Sequence, residues 1–558
     1  MTLKRVRRRE FGSNKLPNLP LLTQSTYSVS KVRQKGEKMK KDTSETIRRA
    51  SAFPVIMIGE GLLVGVLSGL VVLLYRICLN YAGIWLEAIL DYVKGNPLRL
   101  AVWLAALLGM AVIAGLLVKW EPMISGSGIP QLEGEMEGKL NQKWYRILPA
   151  KFIGGFFCMF GGLALGREGP SIQLGAMMGK GISRTLGRGK TEEKFLLTCG
   201  ASAGMAAAFQ APLAGVMFAM EEIHKNFTAA VFISAMTSSV AADYITSHVL
   251  GMDPVFQFEI AGNLPQRYYG LLLVLGVLLG LAGVFYNWFT LKVQSLYKKA
   301  SWLNPVTKAM IPFFLSWILC FTVPEILGNG HSLIVMMTHE KVALGALLLL
   351  FALRFLFSAA SFGSGVPGGI FFPMLVLGAF VGCIFGIVCT EAVGISPDYV
   401  NNFILLSMAG FFTAVVRAPI TGIILIFELT GSVSQMLSLS VVTIVAYITA
   451  MLLRSEPIYD SLLKRILEGM NLKVEKDGGE KVLDYYAVAE DSFAAGRQIK
   501  DIPWPEECLL VAVKRGEKEI IPRGRTRIQT GDILITMTDE AHNGAVYDKM
   551  NKLCRNNK

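Results

Sequence analysis

Residues 355–390, FLFSAASFGSGVPGGIFFPMLVLGAFVGCIFGIVCT, form an uncharged stretch that decides the fold of this chain. The stretch is far longer than the roughly 20 residues with which a helix crosses the hydrocarbon core of a bilayer. Glycine and proline interrupt it at Gly363, Gly365, Pro367, Gly368, Gly369 and Pro373. Because glycine commonly ends a helix and proline commonly begins one, the pattern predicts helices that are broken inside the membrane.

The composition of the whole chain agrees with a membrane protein. Of its 558 residues, 52% are hydrophobic and only 17% are charged, whereas soluble domains carry roughly 25% charged residues. Further uncharged runs that are long enough to span a bilayer lie at residues 101–118, 268–291, 400–416 and 429–453. The sequence therefore predicts an all-α membrane domain that crosses the bilayer many times.

The positive charge of the chain is concentrated at its N-terminus. Residues 1–52 hold 14 Lys/Arg and 4 Asp/Glu, most of the net charge of +13. A basic segment directly before the first apolar segment is typical of a cytoplasmic topogenic tail, with a specific lipid or regulatory role as the alternative. The location of this charge argues against a nucleic-acid partner. No short apolar core with a small-residue cleavage site is present, so no cleaved signal peptide is expected.

Three regions are predicted: a basic cytoplasmic tail at residues 1–52, a membrane domain at residues 53–470 and a soluble domain at residues 471–558. The eight cysteines are scattered without a CxxC pair, and the five histidines show no metal-ligand spacing. We therefore expect no disulfide framework, no structural metal and no cofactor.

The membrane domain contains an internal repeat. The sequence APLAG at residues 211–215, followed by Glu221, matches APITG at residues 418–422, followed by Glu428. A second match, at nearly the same offset, pairs Pro170, Gly175, Ala176 and Gly179 with Pro373, Gly378, Ala379 and Gly382. The repeat predicts two related halves, at about residues 53–250 and 265–470. Secondary transporters are often built from such halves in inverted orientation, although the sequence alone leaves the orientation open.

Three motifs rich in glycine and proline lie at predicted helix starts inside apolar segments: GSGIP at 126–130, GREGP at 166–170 and GGIFFP at 368–373. A helix N-terminus offers unpaired N–H groups and roughly half a positive charge, which attract an anion without holding it as tightly as a full charge. Glycine allows the backbone to approach an ion closely. The motif residues are Gly126, Gly128, Pro130, Gly166, Arg167, Gly169, Pro170 and Gly369.

These three motifs, in this order and at about this spacing, resemble the anion-binding signatures of the CLC family of chloride channels and chloride/proton antiporters. The repeat and the tyrosine of EPIYDSLL, Tyr459, agree with the layout of that family, and the resemblance covers residues 55–470. It implies a CLC-type bundle of tilted, broken helices in two inverted repeats. It also implies a homodimer with one pore per subunit, in the plasma (inner) membrane, with both termini in the cytoplasm.

Carried over by position, the resemblance implies four chloride-binding groups. They are the hydroxyls of Ser127 and Tyr459 and the backbone N–H groups of Ile370 and Phe371. All four are neutral donors, which suits an ion that must also leave. Taken alone, Ser127 would be a helix cap and Tyr459 an interfacial aromatic. Ser127 favours chloride without excluding other halides or nitrate.

Two glutamates are the predicted proton groups. Glu168 is a carboxylate within an apolar segment, where a charge costs roughly 3 kcal/mol or more, so it marks function. In CLC proteins the glutamate of this motif is the external gate, which occupies an anion site when ionised and swings away when protonated. Glu222 falls where CLC exchangers carry the internal proton-transfer glutamate, whereas Glu221 has a repeat counterpart and a predicted structural role. Arg167 is expected to hold local structure rather than to contact the ion.

The predicted function is therefore secondary active transport, an exchange of chloride for protons, and not an enzymatic reaction. A passive voltage- or ligand-gated chloride channel of the same fold is the alternative, in which Glu222 would be an ordinary helix-end carboxylate. The sequence contains no nucleophile–base pair, metal cluster or phosphate loop that would favour a membrane enzyme.

Residues 471–558 have soluble composition and strand-like alternation, with strands predicted at 482–489, 509–513, 519–522 and 532–537 and a closing helix at 541–553. The stretch IIPRGRTRIQTGDILI is similar to the TrkA-C domain, the C-terminal ligand-binding subdomain of TrkA-type potassium-transport regulators. The resemblance implies a regulatory domain that binds a small molecule. The alternatives are a small folded tail that helps dimerisation, or a chain that is chiefly a ligand sensor.

Overall fold

The computed structural model of this chain describes residues 24–252, 255–256, 260–262, 264–300, 302–340, 342–432, 434–470, 481–516 and 518–555, with the backbone alone for residues 24–54, 540 and 541. The first 23 residues of the predicted basic tail lie outside the described residues. The chain divides between Leu463 and Lys464 into two compact units, here called the membrane unit and the C-terminal unit.

Helices build the membrane unit, since a chain in a bilayer must satisfy its backbone N–H and C=O groups internally. In chain order they are α1 (Gln24–Val93), α2 (Pro97–Trp120), α3 (Ile129–Met136), α4 (Trp144–Phe160), α5 (Glu168–Thr185), α6 (Lys190–Phe209), α7 (Pro212–Phe218), α8 (Ala229–Leu250), α9 (Tyr269–Lys299), α10 (Pro305–Thr322), α11 (His331–His339), α12 (Leu344–Gly363), α13 (Phe371–Val393), α14 (Val400–Val416), α15 (Pro419–Thr430), α16 (Met436–Leu452) and α17 (Ile458–Gly469). A π-helical turn, Ala219–His224, directly follows α7.

Many of these helices can cross a bilayer. Within the described ranges, eight are long and apolar enough to do so: α1, α2, α8, α9, α10, α12, α13 and α14. Others, such as α3 and α7, are too short to span and are broken pieces between longer helices. The membrane unit is thus a multi-pass, mostly helical bundle, as predicted.

The uncharged stretch at residues 355–390 is broken as its glycines predict. α12 ends at Gly363, and α13 begins at Phe371. Between them Gly365 takes a left-handed backbone conformation with φ of 81°, which a helix cannot contain. The start of α13 is therefore placed inside the unit instead of at the end of a long span.

The prediction of a single span at residues 429–453 is wrong. α15 ends at Thr430, and α16 begins only at Met436. Gly431, with φ of 64°, caps α15 and donates its N–H to the Phe427 carbonyl at 2.9 Å. A glycine C-cap therefore splits a run that looked continuous because it carries no charge.

The duplicated glycines make the same contact in both halves. In the first half α5 and α6 touch backbone to backbone, and a Cβ added at Gly179 would lie 2.1 Å from the carbonyl oxygen of Leu196. In the second half α13 and α14 do likewise, and a Cβ at Gly382 would lie 2.4 Å from the carbonyl oxygen of Phe403. Neither position has room for a side chain, so the repeat seen in the sequence reflects a repeated helix-packing geometry.

A reciprocal pair of carboxylates joins the two halves. Glu428, in the last turn of α15, accepts hydrogen bonds from first-turn N–H groups of α7, including that of Ala214 at 2.7 Å. Glu221, just after α7, accepts hydrogen bonds from first-turn N–H groups of α15, including that of Thr421 at 2.7 Å. Each carboxylate lies at the end of its own segment and caps the start of the other, so α7 and α15 run antiparallel. The predicted shared structural role of Glu221 and Glu428 is confirmed.

The C-terminal unit is a small α/β domain. Its strands β1 (Lys481–Ala487), β2 (Cys508–Arg515), β3 (Lys518–Ile520) and β4 (Ile533–Asp539) form an antiparallel sheet in the order β1-β4-β2-β3. Helix α18 (Glu540–Cys554) packs on one face, where Leu534, Val513 and Met550 belong to the core. All four predicted strands and the closing helix are present, with ends shifted by one or two residues.

A turn before β4 is held by one ion pair. Gly531 has φ of 85°, and the Asp532 carboxylate accepts hydrogen bonds from Arg515 Nε and Nη2, both at 2.8 Å, and from the Gln529 N–H at 2.7 Å. Burial of the carboxylate opposes its ionisation, but these hydrogen bonds outweigh that effect and hold the pKa of Asp532 below its usual range. The Gly531-Asp532 dipeptide therefore forms a structural turn.

Candidate functional site

Backbone hydrogen bonds hold the three glycine motifs against one another. Gly126 donates its N–H to the Val366 carbonyl at 3.2 Å and accepts the N–H of Gly368 at 3.0 Å. Gly166 and Gly369 exchange both of their hydrogen bonds, at 2.7 and 2.8 Å. These short backbone pairs bring the N-termini of α3, α5 and α13 to one place inside the membrane unit.

The glycines are needed for this close approach. Gly128, at the start of α3, has φ of 94°, and a Cβ there would lie 2.3 Å from Oε1 of Gln173. Ser127 packs directly on Gly169, where a Cβ would lie 2.8 Å from the Ser127 Cβ. Larger residues would separate the motifs and move the helix N-termini apart.

The four predicted chloride-binding groups are all buried. Ser127 Oγ accepts the Ile129 N–H at 3.3 Å, which leaves its own O–H available as a donor. The hydroxyl of Tyr459 is fully buried and has no hydrogen-bond partner among the described residues. Ile370 and Phe371 begin α13, and first-turn N–H groups have no acceptor within their own helix. The arrangement thus offers hydrogen-bond donors without a full positive charge.

Aromatic packing fixes the start of α13. The ring of Phe371 lies 5.2 Å from that of Phe209, 5.7 Å from that of Phe218 and 4.7 Å from that of Phe412, measured between centroids. Phe209 ends α6, Phe218 ends α7, and Phe412 belongs to α14, so both halves of the repeat contribute. The backbone N–H of Phe371 is therefore held in place by its own side chain.

Glu168 lies at the junction of these helix starts. Its side chain is 1% exposed, and its Oε1 is 3.8 Å from Arg167 Nε. The N–H groups of Glu168 itself and of Phe372 face the carboxylate. Oε2 has no hydrogen-bond partner within the described part of the chain. A negative group thus occupies the position to which the backbone donors point.

A cavity of about 810 Å³ lies next to Glu168. Arg167 and Phe372, the two residues that face the Glu168 carboxylate, form part of its wall, together with Arg76 and His331. Glu325, an exposed carboxylate, also lines this cavity. The cavity gives an ion or a proton room to approach Glu168 from one side.

Glu222 lies in the π-helical turn after α7 and is 5% exposed. Its carboxyl faces that of Glu133, a residue of α3 that is 1% exposed. Lys225 follows the turn, and its Nζ lies 3.3 Å from Glu133 Oε1. The neighbouring Glu221 caps the start of α15. Glu222 is buried and does not cap a helix, so its carboxyl group is available for another role.

The comparison with known families agrees with this geometry. The family model described as "Voltage gated chloride channel" matches residues 108–451, which is more than half of the chain. The chain belongs to this family, the CLC proteins. A second model, for the TrkA-C domain, matches residues 485–550 and confirms the resemblance of the C-terminal unit.

Individual CLC relatives are similar over nearly their whole length. The H(+)/Cl(-) exchange transporter ClcA of Vibrio cholerae is 36% identical over 467 residues, 81% of this chain and 97% of the relative. The ClcA exchange transporter of Vibrio vulnificus is 33% identical over 449 residues, 78% of this chain and 95% of the relative. A solved structure, of a slow cyanobacterial Cl⁻/H⁺ antiporter, is 30% identical with a TM-score of 0.71, and the match covers 74% of this chain and 99% of that one.

One buried cation in this CLC site was missed by sequence reasoning. Lys151 of α4 is fully buried, and its Nζ donates to the carbonyl oxygens of Ile124 at 2.9 Å and Gly126 at 2.6 Å. Its side chain therefore supports the GSGIP loop next to Ser127 through these two hydrogen bonds. A signal was present, since Lys151 is the lone charged residue between Arg146 and Arg167, in an otherwise apolar segment.

Proposed function

We propose that this protein is a secondary active transporter that exchanges chloride for protons. The observation that carries the proposal is the position of Glu168, a buried carboxylate at the meeting point of three helix N-termini. An ionised Glu168 and an anion compete for the same donors, because both are negative and both are attracted by the helix starts. When Glu168 takes up a proton it loses this attraction, so proton binding favours chloride binding.

In this mechanism the hydroxyls of Ser127 and Tyr459 and the N–H groups of Ile370 and Phe371 bind the central chloride. Glu168 is the external gate, and Glu222 passes protons between the inner solution and the gate. Arg167 holds the conformation around Glu168. Two observations favour exchange over a passive channel. Glu222 is buried, and the ClcA relatives, at 33–36% identity, are H(+)/Cl(-) exchange transporters.

The test is transport by the purified protein in liposomes under an imposed chloride gradient. External pH is recorded with and without a proton uncoupler while chloride flux is measured in parallel. Uphill proton movement that is driven by chloride, and that the uncoupler abolishes, is expected. Chloride flux without proton movement would make the protein a channel.

We further propose a homodimer with one pore per subunit, in the plasma (inner) membrane, with both termini in the cytoplasm. The family of the chain supports this assembly, and the basic residues before the first span support a cytoplasmic N-terminus. Subunit counting by single-molecule photobleaching in liposomes tests the assembly. Labelling of introduced terminal cysteines by an impermeant reagent tests the topology.

For residues 471–558 we propose a regulatory role, in which a small molecule bound by the TrkA-C domain modulates exchange. The family match of this region supports the proposal. Calorimetric titration of the whole protein with nucleotides and related metabolites, followed by exchange assays at saturation, is the test. An exchange rate that does not change at saturating ligand would show that the domain has no regulatory role and is a small folded tail.

A further inference from the structure

Lys225 is a cation at the inner proton site that the proposed mechanism has not used. Its Nζ lies 3.3 Å from Glu133 Oε1 and 2.7 Å from Asp460 Oδ1. Glu133 belongs to α3, Asp460 belongs to α17, and Lys225 itself follows the π-helical turn that carries Glu222. One ammonium group therefore connects three separate segments of the membrane unit.

The backbone of Lys225 is unusual. Its φ is 56°, a left-handed conformation that residues other than glycine seldom adopt. Its N–H donates to the Met220 carbonyl at 3.0 Å and closes the π-helical turn. Such conformations persist where the surrounding structure fixes them, and they are concentrated at functional sites. In this case the conformation accompanies the contact between Lys225 and the buried Glu133.

The two carboxyl groups beside Lys225 share a proton. Glu133 and Glu222 are both buried and face each other, and two carboxylates this close cannot both be ionised in a site with little water. The ion pair of Lys225 is with Glu133, so it stabilises a negative charge there. The proton then belongs to Glu222, where it is available for transfer.

The second ion pair of Lys225, with Asp460, lies next to a predicted chloride ligand. Asp460 is the residue next to Tyr459 in the first turn of α17. By holding Asp460, Lys225 fixes the helix start that presents the Tyr459 hydroxyl. The same ammonium thus contacts the carboxylate beside the predicted proton residue and the carboxylate beside a predicted chloride ligand.

We propose that Lys225 is the positioning residue of the inner proton site: it keeps Glu133 ionised so that the shared proton lies on Glu222, and it ties this pair to the helix of Tyr459. The inference rests on the proposed function, because it assigns a task within proton–chloride exchange. Lys225 contacts neither the ion nor the transported proton, and it acts through Glu133 and Asp460.

The test compares Lys225→Met, Lys225→Arg and the double variant Lys225→Met/Glu133→Gln in liposomes, with proton and chloride fluxes measured together. We expect Lys225→Met to lower proton flux roughly tenfold while chloride flux persists, a smaller effect than the loss of a proton-transfer group itself. Lys225→Arg should restore proton flux. The double variant should recover part of it, because the glutamine at position 133 cannot take up the proton in place of Glu222.

Lys139→Met is the matched control, since Lys139 also pairs with a carboxylate just beyond α3, Glu137, at 3.0 Å. This variant should leave both fluxes unchanged. If the unmodified protein moves no protons, the proposed function fails. If the unmodified protein exchanges and Lys225→Met exchanges equally well, the role of Lys225 is refuted while the proposed function stands. Equal losses in Lys225→Met and in the double variant would also contradict a role through Glu133.

Discussion

At the scale of single residues, the two predicted proton groups are buried carboxyl groups with different surroundings. Glu168 faces backbone N–H groups and Arg167, whereas Glu222 faces a second carboxyl group, that of Glu133. Burial opposes ionisation of both carboxyl groups. The groups that face Glu168 counteract this effect, whereas the carboxyl group that faces Glu222 adds to it. This difference is what a gate and a proton carrier respectively require.

Glu168→Gln keeps the size of the side chain but removes its charge and its titratable proton. We expect chloride-driven proton transport to fall to background while chloride flux persists, because the neutral amide competes poorly with an anion for the helix N-termini. Parallel pH and chloride recordings from liposomes measure this. Glu325→Gln, at an exposed carboxylate that lines the same cavity, is the control and should behave like the unmodified protein. Normal proton pumping by Glu168→Gln would exclude the mechanism.

Lys151→Met should damage the GSGIP loop. The substitution leaves the carbonyl oxygen of Ile124 without the ammonium donor, at a cost of roughly 1–3 kcal/mol, while that of Gly126 keeps only the N–H of Gly368. We expect a lower thermal midpoint in detergent and a reduced chloride flux in liposomes. Lys94→Met, at an exposed lysine paired with Asp91, is the control. A Lys151→Met protein with unchanged stability and flux would show that the buried ammonium is dispensable.

Sequence patterns could identify those site residues whose neighbours in the chain form a recognisable local motif. Ser127 and Glu168 are flanked by glycines within apolar segments, and a helix start can be inferred from that local pattern. Glu133 lies in the polar stretch QLEGEMEGKL, which has the composition of a solvent-exposed segment. Glu133 is nevertheless buried, and its partners Glu222 and Lys225 lie about 90 positions later in the chain, so no local signal could have identified it.

At the scale of helices, the two related short segments α7 and α15 complete each other. The repeat in the sequence correctly predicted that Glu221 and Glu428 share a role, but it could not show that each carboxylate caps the partner helix and not its own. Hydrogen bonds between residues 200 and 214 positions apart cannot be detected in local periodicity. The same limit explains the wrong span at residues 429–453, where Gly431 splits an uncharged run.

Glu221→Ala should separate the roles of the two adjacent glutamates. Loss of the cap leaves N–H groups at the start of α15 unpaired and should lower the free energy of unfolding by roughly 0.5–2 kcal/mol. Proton coupling should remain, whereas Glu222→Gln should abolish it with little loss of stability. Thermal melts in detergent and liposome fluxes measure both effects. Proton coupling lost in Glu221→Ala and kept in Glu222→Gln would reverse the assignment.

The turn before β4 makes the C-terminal unit sensitive to acid. The pKa of Asp532 is lower in the folded protein than in the unfolded chain, so its contribution to stability is fully present above the unfolded value of about 3.9 and is lost as the pH falls through the folded value. Pepsin cleavage near residues 525–535 of the whole protein should therefore rise steeply below about pH 4. Asp532→Asn should be cleaved readily even at pH 5. Identical cleavage profiles for the two proteins would contradict this account.

At the scale of the whole molecule, every residue assigned to the exchange mechanism lies before Leu463, within the membrane unit. A chain that ends at Met470 should therefore still exchange chloride for protons in liposomes, at a rate comparable with that of the whole protein. Any response to a small-molecule ligand should be lost. An inactive but correctly folded shortened protein, judged by its elution profile in detergent, would show that the C-terminal unit is required for transport itself.

The reciprocal caps also mean that α7 is synthesised well before the residue that caps it. Ala214 emerges from the ribosome long before Glu428, its hydrogen-bond partner 214 positions later in the chain. At translation rates of roughly 5–20 residues per second, the start of α7 waits about 10–40 seconds for its cap. During that interval the nascent first half depends on the insertion machinery to shield an unfinished helix end. A chain that stops between the two halves lacks Glu428 and therefore never receives this cap.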